Sequence, residues 1–259
     1  MLANAIFFGV LGVLFLGMVA MQIAGHHYAL GRRENDPVAG SEGTAAVETA
    51  IYALLGLLIA FTFGGAEDRL SARRQLIVEE VNAVGTAYAR LDLLQPDDEM
   101  ILRDEVRAYV DARLAFYDKL LDFAAARGER QRADQIQQQI WSDAVAGSAK
   151  VGDSRAALLV LQSLNQMFDV ATARYAALRT HVPAAIFVLL LVLALLCGFF
   201  AGIGMARRRG HPSYLHMLMF AGVIAVTAYV ILNLEFPRVG FVRLHGLDQF
   251  LREARASMQ

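Results

Sequence analysis

Apolar residues run almost unbroken through residues 2–24, 50–63, 183–205 and 214–236. Between the second and third runs, apolar and polar positions alternate at helical spacing. A bilayer core about 30 Å thick is crossed by a helix of about 20 apolar residues. The pattern therefore predicts an all-α chain with four transmembrane helices in two hairpins and a helical bundle inserted between the second and third. The run at 50–63 reaches spanning length with its flanks and then turns charged. Only Gly64 and Gly65 stand at the change, with no Pro or Asn-Gly breaker, so one helix is predicted to leave the membrane and continue into water.

The same reading divides the chain into a first hairpin (1–66), a bundle (67–182), a second hairpin (183–236) and a tail (237–259). Residues 26–43, with Pro37, read as an irregular loop. Gln95-Pro96-Asp97-Asp98 predicts a helix start, with Pro and acids in the first turn. Residues 99–127 form an amphipathic helix through Ile101, Val106, Val110, Leu114, Tyr117 and Leu121. Gly128 reads as a break before a Gln-rich helix over 129–145, with Ile136, Ile140 and Trp141 on one side. Asp153 is the predicted N-cap of a helix over 154–179. Its stripe is traced by Leu158, Leu161, Leu164 or Asn165, Phe168, Thr172 and Tyr175. Pro237 ends the fourth span, and the basic, amphipathic tail 239–259 is expected to rest on the bundle or the lipid surface.

Composition agrees with a membrane protein: 56% of residues are hydrophobic and the mean hydropathy is +0.42, too apolar for an ordinary soluble domain. A net charge of -1 gives no global field for nucleic acid. The single cysteine, Cys197, lies in an apolar run and reads as a small buried hydrophobe. Residues 2–24 lack a basic leader, so they read as a retained span rather than a signal peptide. His26 and His27 are neighbours that point about 100° apart on a helix, which is surface-pair rather than metal-site spacing. No motif of a hydrolase, zinc protease, nucleotide loop or EF-hand is present, so no enzyme, metal or cofactor is expected. An even number of spans puts both termini and the bundle on one side. Arginines near the span ends favour the cytoplasm, with Arg207-Arg208-Arg209 counting the other way.

Candidate site residues concentrate in 48–82. Gly56, Ala60 and Gly64 put small side chains on one face, where another helix can approach. Ala53, Leu57 and Phe61 form an adjacent stripe. Glu48 and Tyr52, one turn apart where the span begins, are candidates for a pore entrance. Beyond the membrane lie Asp68, Arg69, Arg73, Arg74, Glu79, Glu80 and Asn82, with Asn165 and Asp169 sharing a face on the helix that returns to the membrane. As a structural network Arg69, Arg73, Arg74, Glu79 and Glu80 would pair with Asp169 and its neighbours on that returning helix. As a functional site they would concentrate anions at a pore mouth.

Phe61, Ala66, Asp68, Arg69 and Arg73, in the run FTFGGAEDRLSAR, resemble the signature of the bestrophins. The fuller run through AVGTAY, the helix order and the closing NLEFPRVG resemble a bacterial bestrophin-like family of unknown function. Leu70 and Ser71 stand where bestrophins usually carry aromatic residues. The resemblance implies a homo-oligomer, a pentamer, in a bacterial inner membrane with cytoplasmic termini. It also implies a channel for small anions of the chloride type, with Ala53, Leu57 and Phe61 as a hydrophobic neck. From another class, the amphipathic bundle would equally suit a non-conducting membrane scaffold or sensor that binds a cytoplasmic partner.

Overall fold

The computed structural model describes residues 2–35, 42–207, 214–237 and 245–258. Pro37, Arg208, Arg209, Gly210, Pro212 and the run 238–240 lie outside the described residues. The elements are α1 (Leu2–Asn35), α2 (Glu42–Arg90), a 3-10 turn (Leu91–Leu93), α3 (Pro96–Asp118), α4 (Phe123–Ser148), α5 (Ser154–Arg179), α6 (Ala184–Arg207), α7 (Tyr214–Glu235) and α8 (His245–Ser257). Four helical stretches, carrying α1, α2, α6 and α7, are long and apolar enough to cross a membrane. The chain divides into two compact units, residues 1–70 with 181–243 and residues 71–180 with 244–259. As the missing breaker predicts, α2 runs unbroken through Gly64 and Gly65.

The first unit is built on close contact between α1 and α6. A methyl group at Gly202 would stand 1.9 Å from the Gln22 carbonyl oxygen, and one at Gly25 would stand 2.0 Å from that of Phe199. Only hydrogen fits at these two positions, so the backbones pack directly. Around this crossing, Met18, Ala194 and Ala221 join α1, α6 and α7 in one apolar cluster, while Leu55, Leu193 and Cys197 join α2 to α6 in another. The contact also explains why α1 continues to Asn35 where a loop from residue 26 was expected. Gly25 is used for packing rather than for a turn, and Tyr28 lies against Phe199 at 5.7 Å between ring centroids.

In the second unit, α3 and α4 form an antiparallel hairpin. Ala126, Ala133, Ile140 and Gly147 recur every seventh residue on the buried face of α4, opposite Leu102, Val106, Tyr109, Val110 and Phe116 of α3. This is a coiled-coil-like seam. Trp141 is exposed rather than part of it. The break between the helices lies at Lys119–Asp122, not at Gly128, because the Asp122 side chain accepts from the N–H groups of Ala124 and Ala125 and caps α4. Gly128 is carried inside α4. Both predicted helix starts are present: Pro96 opens α3, and Asp153 caps α5 by accepting from the Arg155 N–H. The buried stripe of α5 runs through Val160, Leu164, Met167, Phe168 and Ala171, leaving Leu158 exposed. The tail helix α8 packs on this unit, with Leu251 and Met258 in its core and Arg255 bidentate to Asp111 at 2.9 Å.

Two outcomes test this packing. Gly202→Ala is expected to lower stability in detergent by ~1–3 kcal/mol, an overpacking effect, whereas Gly12→Ala, whose new methyl would meet nothing within 4 Å, is expected to leave the thermal midpoint unchanged or raised. In the second unit, burial, aided by the neighbouring Asp143 carboxylate, pushes the Glu105 carboxyl up to about 7. A carboxyl raised on folding stabilises fully at low pH, and that contribution fades as pH climbs toward 7. Glu105→Gln should therefore gain stability relative to the parent between pH 5 and pH 8, read as the difference in unfolding midpoints; parallel pH profiles would exclude the effect.

Candidate functional site

Within the first unit α2 has one engaged face and one open face. Leu55, Thr62, Ala66 and Leu70 are buried. Ala53, Gly56, Leu57, Ala60, Phe61 and Asp68 are exposed, Leu57 at 52% and Phe61 at 69%. At about 100° per residue, Ala53, Leu57, Phe61, Gly64 and Asp68 fall within about 80° of one another. They form a single uncovered stripe that is apolar for two turns and ends on a carboxylate.

The small-residue face adjoins that stripe and is not used by this chain. A methyl group at Gly56 or Gly64 would meet nothing within 4 Å. The helix crossing that small residues do permit lies at α1 and α6, where Gly198 and Gly202 form a GxxxG spacing. That spacing was present in the sequence, in GFFAG, and is the signal that sequence reasoning missed.

Glu48 is half-buried. The Tyr52 hydroxyl donates to the Cys197 carbonyl at 3.0 Å, and its ring meets Phe220 edge-on. It is a packing residue that turns toward α6 and α7, away from the open stripe.

The polar groups opposite the stripe are answered individually. Glu235, at the end of α7, is fully buried. It accepts from Arg69 Nε at 2.9 Å and from the Val182 N–H at 3.0 Å, and it meets His181 Nδ1 at 3.2 Å. Arg69 is thereby committed to Glu235 rather than to Asp169. In the second unit, Arg73 is buried and donates to the Ala177 carbonyl at 3.1 Å and the Thr180 carbonyl at 2.8 Å. These are acceptors at the C-terminus of α5, where a cation is favoured.

Glu80 forms the centre of a buried network. Arg113 Nε donates to it at 2.8 Å, Arg174 pairs with it from α5, and Arg174 also pairs with Asp248 of α8. Arg174 lies 3.6 Å over the Tyr117 ring, whose hydroxyl accepts from Arg113 at 2.7 Å. Two acids and two bases thus compensate each other. Burial opposes ionisation of Glu80, and the Arg113 and Arg174 guanidiniums outweigh it, holding the carboxyl below its usual range.

The expected role of Asp169 is corrected as well. It accepts from Asn165 at 3.2 Å on an exposed surface, while Arg74, Glu79 and Asn82 are also exposed. Arg113, Arg174, Asp248 and Glu235 carry the pairing that had been expected of it. The available signal was an arginine at a helix-core position, Arg113 beside Tyr109 and Phe116, because such a charge needs a buried counterpart.

These features define an all-helical, multi-pass membrane protein with one uncovered stripe on its longest helix. The sequence matches the Bestrophin-like domain over residues 12–245, and the chain belongs to the bestrophin-like family. It is similar in fold to a crystal structure of a bacterial bestrophin homolog from Klebsiella pneumoniae, in a point-mutant form, with a TM-score of 0.71 and 14% identity over 96% of this chain and 97% of that one. A second mutant form of that homolog gives a TM-score of 0.65 and 17% identity over 97% and 96% of the two chains. At these identities the likeness establishes the fold. A comparison with curated proteins found no match.

Removing one member of the buried network tests it. Arg174→Met removes one of the two guanidiniums on Glu80 together with the Arg174–Asp248 pair and is expected to cost about 3–5 kcal/mol, whereas Arg252→Ala, at a largely exposed pair with Asp118, is expected to cost about 0–1 kcal/mol, both measured by chemical unfolding.

Proposed function

We propose that this protein is a homo-oligomeric, pentameric ion channel of the bestrophin type in a bacterial inner membrane, with both termini cytoplasmic. The supporting observation is the uncovered stripe Ala53, Leu57, Phe61 and Asp68 on a helix whose other face is engaged. A single subunit with four spans cannot enclose a wide path, and a closed ring of copies can. In such a ring the stripe faces the axis, and the neighbouring small residues Gly56, Ala60 and Gly64 receive the next subunit. Leu57 and Phe61 then act as a hydrophobic neck that gates by widening and wetting.

The resemblance to bestrophins points to small anions as the permeant species. The charge on the open stripe points the other way. Arg69 and Arg73 are engaged with Glu235 and with helix-end carbonyls, and the stripe ends on the acidic side chain of Asp68, a residue type that attracts cations. We therefore assign cation preference to this chain. The scaffold reading retains one observation of its own: a polar groove of about 380 Å³ between α2 and α5, lined in part by Glu79, Asn82, Arg90, Gln162 and Gln166.

Planar-bilayer recording of the purified oligomer tests these assignments. Phe61→Ala is expected to raise conductance or open probability, and Asp68→Asn is expected to shift the reversal potential in a salt gradient toward the anion limit. Intact oligomers that never carry current, and whose images lack an axial opening, would return the protein to the scaffold class.

A further inference from the structure

Within the first unit, α1, α2, α6 and α7 leave a cleft of about 540 Å³, and every side chain lining it is apolar. Leu55, Ala194 and Ile231 are buried at its floor, while Val10, Val13, Val188 and Leu191 are exposed along its opening. Protein interiors pack at crystal-like density and hold few voids larger than a water, so a cleft of this size has an occupant in the native state. Water is a poor one. No side chain in the lining offers a hydrogen bond, and the helix backbone is satisfied within itself. The lining residues all lie in candidate membrane spans, so the medium at the opening is hydrocarbon. At one end, Leu232 lies a turn from Glu235, where a polar collar of Glu235, Arg69 and His181 marks the end of the apolar segment, and the cleft therefore reaches headgroup depth.

The geometry points to a binding site for one acyl chain of a bilayer phospholipid, held between α1 and α6 with its head at the level of the collar. The site is independent of whether the assembly conducts. Gly9 and Ala228 are small residues of the lining, and a methyl group at Gly9 would meet nothing within 4 Å. Larger side chains there fill the same space that the acyl chain fills.

Native mass spectrometry of the full-length oligomer after exhaustive detergent exchange reads this directly. The parent protein is expected to retain a phospholipid on each chain. Ala228→Phe and, at the open rim, Gly9→Leu are expected to lose that adduct while keeping helicity and oligomer mass. Leu54→Phe, at an exposed position outside the cleft, is expected to keep it. If Ala228→Phe misfolds, Gly9→Leu decides the question alone. A parent protein that holds only detergent or free fatty acid, or a filled variant that keeps its phospholipid, overturns the assignment.

Discussion

A carboxylate taken out of water is tolerated only where donors meet it, and Glu235 is met from three directions. Arg69 of α2, the backbone N–H of Val182 and the ring of His181 all converge on it. This arrangement fastens the second span, the lead into the third and the end of the fourth at one point. Pro237 stands two residues on, so the end of α7 that carries Glu235 is itself defined. Because Arg69 is drawn to that side of α2, the opposite side of the helix is left with Phe61 and Asp68. The open stripe is thus a consequence of where the charge is compensated.

The second unit solves a similar problem with a network. Glu80, Arg113, Arg174 and Asp248 sum to zero and come from four different helices. Buried pairs of this kind add little net stability compared with a well-packed apolar core, and their loss one partner at a time is severe. Their effect is to make one arrangement of α2, α3, α5 and α8 far better than its neighbours. The apolar seam of α3 and α4, built largely on alanine and leucine-sized residues, would tolerate sliding more readily.

What could be read from the sequence was what local chemistry determines. The four apolar stretches, the unbroken α2, Pro96 at the start of α3 and the Asp153 cap all follow from nearest-neighbour signals. Gly128 misled because a glycine inside a helix costs only about 1 kcal/mol, less than the preference imposed by the Asp122 cap two turns earlier. The extension of α1 past residue 26 depends on α6, more than a hundred residues away, and no window of the chain shows it. The packing of Tyr52 was hidden for the same reason, since its partner is a backbone carbonyl at Cys197. Asp169 had an eligible neighbour four residues away in Asn165, and a contact on the same helix prevailed over the distant arginines.

The position of Asp248 carries a consequence for biosynthesis. Arg174 and Asp248 are neighbours in the folded core, yet the chain between them contains α6 and α7, both apolar enough to require the insertion machinery. The core of the second unit is therefore left incomplete, with one guanidinium short of a counterion, until translation has delivered two more helices to the bilayer. Maturation of that core is coupled to correct threading of the hairpin, and a chain whose hairpin stalls keeps Leu251 and Met258 unburied for quality control to recognise.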